Sequence, residues 1–122
     1  MKNYRDANIL FKAKKKGGAC TVSVGPDMLL VKEDVSTYGL TFRGSPIIRY
    51  YRDDTIMLIG DADCGTASLR TRLNKYSPDD IKVFQRKFRF YVKFFGVTIP
   101  LNGELIFDPV KREICITDLF FT

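Results

Sequence analysis

The fold is set by residues 47–59, which read IIRYYRDDTIMLI. β-Branched or aromatic side chains predominate at both ends of this stretch, and such residues are enriched in strands. Arg52-Asp53-Asp54 lies between the two ends, and aspartates are typical of tight turns. The stretch therefore predicts a β-hairpin, with strands at Ile47–Tyr51 and Thr55–Ile59.

Short apolar runs extend the β pattern toward the N-terminus. They predict strands at Ile9–Phe11, Cys20–Val24, Met28–Val31 and Leu40–Arg43. A lysine run at Lys12–Lys16, followed by Gly-Gly, separates the first two of these strands and predicts a hairpin connection or a basic loop. We therefore expect residues 1–40 to form a basic hairpin region.

One segment after the central hairpin has helical periodicity. Leu69, Leu73 and Tyr76 recur at helical spacing and form one apolar stripe. Thr66 is a suitable N-cap, and Ser77-Pro78 is a suitable end. The pattern predicts one helix over residues 66–76.

The remainder of the chain returns to strands. A strand at Ile81–Phe84 and a tight turn at Gln85–Lys87 precede an alternating segment, Phe88–Phe94. Its alternation places Phe88 and Phe90 toward the core and Arg89, Tyr91 and Lys93 on the other face. Three further strands are predicted at Val97–Ile99, Leu105–Phe107 and Ile114–Thr117, the first two flanking an Asn102-Gly103 turn.

These elements predict an α+β fold, a mostly antiparallel β meander with one short helix packed on the sheet. We expect a single domain over residues 1–122, with a core at 41–107 and a C-terminal strand and apolar end at 108–122. The longest apolar runs are too short to cross a bilayer, so we expect no membrane partner.

The residue types present exclude several kinds of chemistry. The chain has no histidine, and its three cysteines are far apart, without metal-ligand spacing. We expect them to be reduced thiols in a cytosol, with Cys20 and Cys115 as small core residues. No paired-carboxylate motif stands out either, so we expect neither an enzyme nor a metal or cofactor site.

The formal net charge of +6 favours an anionic partner. Nucleic acid, a nucleotide and an anionic surface all fit, and so does a soluble protein that merely carries excess lysine. The segment 86–93, RKFRFYVK, alternates basic and aromatic residues, a combination that suits single-stranded nucleic acid or a nucleotide. Within it, Arg89 and Tyr91 are the candidate binding residues.

The predicted helix carries a second set of candidate binding residues. Thr66 and Ser68 fall in its first turn, where free backbone N–H groups favour an anion. Arg70 and Asn74 are four residues apart and share a face, with Arg72 beside them. Together they suit a phosphate or a nucleobase; alternatively, Thr66 only caps the helix and the arginines are only solvated.

The order Thr66-x-Ser68-x-Arg70-x-Arg72-Leu73-Asn74 resembles a motif of small phage-encoded proteins, the Thoeris anti-defence protein 1 family. The resemblance covers residues 41–107. It implies a homo-oligomeric protein in the cytoplasm of an infected bacterium. Such a protein sequesters a signalling nucleotide, a cyclic ADP-ribose variant or a cyclic oligonucleotide, without cleaving it. The implied roles are an asparagine contact, arginines on the pyrophosphate and an aromatic ring on the base.

The chain departs from that motif at three positions. Arg70 replaces a lysine, Leu69 replaces a threonine, and Cys64 replaces the aromatic residue. A stacking ring would then come from another place, and the candidates are Tyr50, Tyr51, Phe88 and Tyr91.

Two other functions are compatible with the sequence. One is a nucleic-acid-binding phage accessory protein that uses a basic sheet face. The other is a direct inhibitor of a host defence protein, acting through Leu119-Phe120-Phe121 or a Tyr50-Tyr51 surface.

Overall fold

A computed structural model describes residues 1–60 and 67–116. Two helices occur in these residues, α1 (Tyr4–Lys14) and α2 (Ala67–Tyr76). The strands are β1 (Thr21–Gly25), β2 (Met28–Asp34), β3 (Thr37–Phe42), β4 (Ser45–Tyr51), β5 (Ile56–Gly60), β6 (Ile81–Arg86), β7 (Arg89–Phe94), β8 (Val97–Pro100), β9 (Gly103–Asp108) and β10 (Glu113–Ile116). The expected α+β class is confirmed.

The strands form two antiparallel sheets. The larger has seven strands in the order β1-β2-β3-β4-β5-β9-β10, and the smaller has three in the order β6-β7-β8. The predicted central hairpin is confirmed, because Tyr50 pairs with Ile56 and Ile48 with Leu58.

One row of side chains on the seven-stranded sheet contacts both helices and the three-stranded sheet. Tyr38, Tyr50, Ile56 and Phe107 are cross-strand neighbours in this row, and all are buried. The ring of Tyr38 packs on Phe11 of α1, with centroids 5.4 Å apart. The hydroxyl of Tyr50 donates to the carbonyl oxygen of Tyr76 in α2 at 2.6 Å. Phe107 meets Phe94 of the three-stranded sheet edge-on at 5.1 Å. Both helices and the smaller sheet therefore share one core with the larger sheet.

The predicted strand at Ile9–Phe11 is wrong, because these residues belong to α1. Asn3 caps the helix by accepting a hydrogen bond from the backbone N–H of Asp6 at 2.8 Å. Ala7 and Phe11 are four residues apart, and both are buried. Lysines 12 and 14 lie in the last turn, where the helix dipole favours positive charge. The hairpin of this region forms instead between β1 and β2.

The expected turn at Asn102-Gly103 is also wrong, because Gly103 begins β9 and the two flanking strands do not pair with each other. β8 pairs with β7 and β9 pairs with β5, so the chain passes from one sheet to the other at this point. The N–H of Leu101 donates to the carbonyl oxygen of Phe90 at 3.0 Å. A Cβ atom on Gly60 would lie 2.8 Å from the carbonyl oxygen of Leu101. The close approach of these two segments of the chain therefore requires glycine at position 60.

The turn between β6 and β7 lies later than predicted. Arg86 pairs with Arg89, so the turn consists of Lys87 and Phe88. Phe88 is 89% exposed, which contradicts its expected place in the core. From Arg89 onward the predicted alternation is confirmed, with every second residue buried: Phe90, Val92 and Phe94.

Neither helix in the described part of the chain is long and apolar enough to cross a bilayer.

Candidate functional site

The exposed face of the three-stranded sheet carries a row of rings. Phe84 of β6 pairs with Tyr91 of β7, and Tyr91 pairs with Pro100 of β8. The rings of Phe84 and Tyr91 are nearly parallel, with an interplanar angle of 22° and centroids 5.8 Å apart. Both residues are half-buried, so each keeps part of its surface in contact with solvent.

Two rows of cationic side chains lie beside the rings. Lys82 pairs with Lys93 on one side, and Arg86 pairs with Arg89 on the other. Each row is two residues along the strands from the rings, which corresponds to about 7 Å. All of the cationic residues are exposed. We call this surface the aromatic-basic face and define it by six residues: Lys82, Phe84, Arg86, Arg89, Tyr91 and Lys93.

The charge of this sheet is strongly one-sided. Residues 81–100 include five lysine and arginine residues and no aspartate or glutamate. No acidic residue within the segment balances these five positive charges, and the whole chain has a formal charge of +6. Like charges held together on one face repel each other, and a bound anion relieves that repulsion.

The core holds the aromatic-basic face in place from behind. Phe90, Val92 and Phe94 alternate with its residues along β7 and are buried beneath the sheet. The guanidinium of Arg86 lies 5.8 Å from the ring centroid of Phe84, a distance at which a cation is attracted to the ring face. Chemically, the face offers planar rings between two pairs of cationic side chains.

Arg72 of α2 is held at a different place. Its Nη1 donates to the carbonyl oxygen of Ser68 at 3.1 Å and also to the Ser68 hydroxyl. Its guanidinium lies 4.2 Å from the ring centroid of Phe42, and that of Arg43 lies 4.8 Å from the same centroid. The guanidinium groups of Arg43 and Arg72 thus both contact the ring of Phe42, near the first half of α2.

Asn74 is engaged on the opposite flank of α2. Its Nδ2 donates to the carbonyl oxygen of Val83 at 2.8 Å, and its Oδ1 accepts from the Val83 N–H at 2.7 Å. Val83 lies on β6, an edge strand of the smaller sheet. The Asn74 amide therefore forms the hydrogen bonds to the Val83 main chain that a neighbouring strand would otherwise form. Arg70 lies one turn before Asn74 and is half-buried.

The candidate residues therefore fall in three places. Arg72 and Ser68 lie against Phe42, Arg70 and Asn74 lie on the flank that meets β6, and Arg89 and Tyr91 lie on the aromatic-basic face. Residues two apart on a helix face different directions, which is why Arg72 and Asn74 do not meet. Thr66 and Cys64 lie outside the described residues.

The four candidate stacking rings differ in access. Tyr50 is fully buried, and burial raises the pKa of its hydroxyl. Tyr51 is half-buried on the larger sheet, where its hydroxyl lies 3.8 Å from the sulfur of Met57. Tyr91 and Phe88 are the candidates that the smaller sheet presents to solvent.

Sequence reasoning missed three residues of the face, Lys82, Phe84 and Arg86. The alternation of residues 82–86, KVFQR, has a period of two and indicates one polar and aromatic face. A turn predicted at Gln85–Lys87 ended the strand too early to show this alternation.

Two other polar clusters in the described residues contain ion pairs. Arg49 lies 2.9 Å from Glu33 and 3.9 Å from Glu104 on the outer face of the larger sheet. A cavity of about 550 Å³ near the start of α1 is lined by residues of both charges, and its Lys2 pairs with Asp79 at 2.9 Å. No cluster of metal-ligating side chains occurs within residues 1–60 and 67–116.

The cysteine predictions need one correction. Cys20 and Cys115 are unpaired thiols, but both are exposed, so neither is a core residue. Cys20 directly precedes β1 and Cys115 lies on β10, and both strands are edge strands of the larger sheet.

Comparisons with known proteins add nothing to the geometry: no family model, curated protein or solved structure matches this chain.

Proposed function

We propose that this protein binds single-stranded nucleic acid on the aromatic-basic face. The observation that carries the proposal is the row formed by Phe84 and Tyr91, bounded on both sides by paired cations in a segment without acidic residues. Rings that stack with bases and cations that hold phosphates are the two components of single-strand binding.

The spacing of the rows suits a strand that crosses the sheet. A base stacked on Tyr91 and Phe84 leaves its two flanking phosphates on opposite sides of the ring. The row of Lys82 and Lys93 lies on one of these sides, and the row of Arg86 and Arg89 on the other. Because every base has a π face, this mode tolerates many sequences.

The surface favours single strands over a duplex. Bases in a duplex are stacked on each other and hide their faces, whereas an unpaired base offers its face to a ring. A duplex would therefore use only the cations of the aromatic-basic face.

Fluorescence anisotropy with labelled single-stranded oligonucleotides of increasing length tests the proposal. We expect affinity to rise with length and to fall with salt, with a log–log slope of about −3 for four phosphate contacts on a single strand. Absence of binding at low salt, or equal affinity for a matched duplex, would remove single-strand binding as the function.

A second candidate function is sequestration of a signalling nucleotide, as the family resemblance implies. Its supporting observation is the pair of guanidinium groups of Arg43 and Arg72 on Phe42, next to the hydroxyl of Ser68. Because Asn74 is engaged by Val83, an asparagine contact to a ligand would have to use its second amide hydrogen or the second lone pair of Oδ1.

Calorimetry with cyclic ADP-ribose isomers and cyclic di- and trinucleotides tests this second candidate. Sequestration requires saturable binding of at least one of these ligands and its loss in Arg72→Ala. Silence across the panel removes the candidate and leaves the proposal of single-strand binding unaffected.

A further inference from the structure

The turn that joins β6 to β7 has positive φ angles at two residues that rarely adopt them, Lys87 and Phe88. In the described part of the chain, three two-residue turns have positive φ at both positions. Glycine occupies the second position in two of them, where it adopts this conformation without steric cost. The turns are Arg43-Gly44 (φ 52° and 82°), Phe95-Gly96 (46° and 82°) and Lys87-Phe88 (51° and 67°).

Lys87-Phe88 lacks that glycine and places a bulky aromatic residue at φ 67°. A residue with a Cβ atom is disfavoured in this region, and for a bulky residue the conformation is a genuine outlier. Neither glycine, asparagine nor aspartate, the usual residues of such turns, is present.

The fold does not compensate for this strain by burying Phe88. Its side chain is 89% exposed, and it has no ring or cation partner among the described residues. Phe95 in the next turn is different, because its ring lies 4.6 Å from that of Phe94 and 4.6 Å from the guanidinium of Arg112. Phe88 is therefore both strained and uncovered.

The position of Phe88 links it to the aromatic-basic face. The turn connects the paired residues Arg86 and Arg89, so Phe88 directly precedes a member of the arginine row. Lys87 adds a fifth cation beside it. Along this sheet, rings and cations thus continue in alternation up to the tip of the hairpin.

We propose that Phe88 stacks on an unpaired base and adds one stacking position to the site. This inference rests on the proposed single-strand binding. Strain and exposure that cost stability in the free protein are common at binding sites. Stacking would remove the exposed ring from water, and the base that follows the phosphate held by Arg86 and Arg89 would supply the partner surface.

Three substitutions of Phe88 separate a binding role from a structural one. Phe88→Gly removes the ring and relieves the backbone, so it should lower affinity by about fivefold to a hundredfold. It should also raise the thermal midpoint by about 2–6 °C. Phe88→Tyr keeps a ring and should bind like the wild type. Phe88→Leu keeps apolar bulk without a ring and should bind like Phe88→Gly.

The measurement is anisotropy with labelled single strands of increasing length, together with thermal melting of each variant. We expect Phe88→Gly to need a longer strand than the wild type for the same affinity. Wild-type affinity in Phe88→Gly, or a lowered midpoint, would overturn the role of Phe88 even if Tyr91→Ala weakens binding. If the wild type itself binds no single strand, the proposed function and this inference both fail.

Discussion

The side-chain amide of Asn74 forms a pair of hydrogen bonds with the main chain of Val83, at 2.7 and 2.8 Å. The amide thereby occupies the free edge of β6 in the manner of a further strand. Unpaired strand edges are templates for association, and natural proteins cover or interrupt them. The other edge of this sheet ends at Pro100, whose nitrogen cannot donate a hydrogen bond.

Asn74→Ala should destabilise the protein by about 1–3 kcal/mol, because two hydrogen bonds of ordinary strength are lost. Urea unfolding of the variant and the wild type measures the difference. Asn74→Asp keeps the acceptor but places a carboxylate oxygen against the carbonyl oxygen of Val83, so it should not recover the stability lost in Asn74→Ala. Lys75→Ala, on the exposed side of the same helix, is the matched control and should change stability by no more than about 0.5 kcal/mol. An Asn74→Ala protein as stable as the control would show that the amide does not hold β6.

Tyr91→Ala should weaken single-strand binding by about 1–3 kcal/mol, the range for one base–aromatic stack. Tyr91→Phe keeps the ring and should retain most of the affinity. Anisotropy titrations with one oligonucleotide compare the three proteins. Equal affinities for all three would mean that no base stacks on this ring.

Arg89→Gln and Lys93→Gln should each reduce the salt dependence of binding. Each lost phosphate contact lowers the log–log slope by about 0.7 on a single strand. Lys111→Gln removes the same charge from the turn between β9 and β10 and serves as the control. A slope that falls equally in all three variants would indicate that only the net charge matters.

Gly60→Ala should destabilise the fold by about 1–3 kcal/mol or more, because an added Cβ would meet the backbone of Leu101. Gly18→Ala is the matched control, since a Cβ there meets nothing within 4 Å. Urea unfolding of both variants measures the difference. If the two variants are equally stable, the backbone of Leu101 does not approach Gly60 as closely as the structure shows.

Acid should weaken the turn between β4 and β5. Asp53 accepts hydrogen bonds from the hydroxyl of Thr55 at 2.6 Å and from its N–H at 3.0 Å, and these bonds lower the pKa of Asp53 below its ordinary value of 3.8. A lowered pKa in the folded state means that the stabilisation is complete above pH 3.8 and is lost as the pH falls through the folded-state pKa.

Asp53→Asn provides the comparison for that turn. The wild type should be more stable than Asp53→Asn at pH 7, and the gap should shrink in unfolding measurements below pH 3.8. A gap that stays constant with pH would exclude a contribution from the carboxylate charge.

The local parts of the fold could be read from the sequence. The hairpin at residues 47–59, the helix at 67–76 and the alternation after Arg89 depend on residue type and spacing within one segment. The N-terminal helix is not predicted, because the apolar triplet Ile9–Phe11 has the pattern of a short strand. The cap at Asn3 and the spacing of Ala7 and Phe11 are the signals that favour a helix there.

The remaining errors come from contacts between distant segments. Asn102-Gly103 is a strong hairpin signal, yet the approach of Leu101 to Gly60 directs the chain into the other sheet. Likewise, the bond between Asn74 and Val83 joins a helix to a strand edge, and no local pattern encodes it. The error at Phe88 is local instead, because the alternation of residues 88–94 includes Phe88 and its turn lacks the residues by which such turns are recognised.

The candidate site was predicted in part. Arg89 and Tyr91 were recognised from alternation alone, and the structure adds the paired strand that completes their surface. Arg72 and Asn74 were grouped by proximity in sequence, and the helix directs them to different neighbours.

Nuclear magnetic resonance of isotope-labelled protein, titrated with a short single-stranded oligonucleotide, tests the central claim most directly. Binding on the aromatic-basic face predicts shifted backbone signals along β6 and β7 and in the turn between them, and little change along β1 and β2. Shifts centred on Phe42 and Arg72, or no shifts at saturating oligonucleotide, would contradict it.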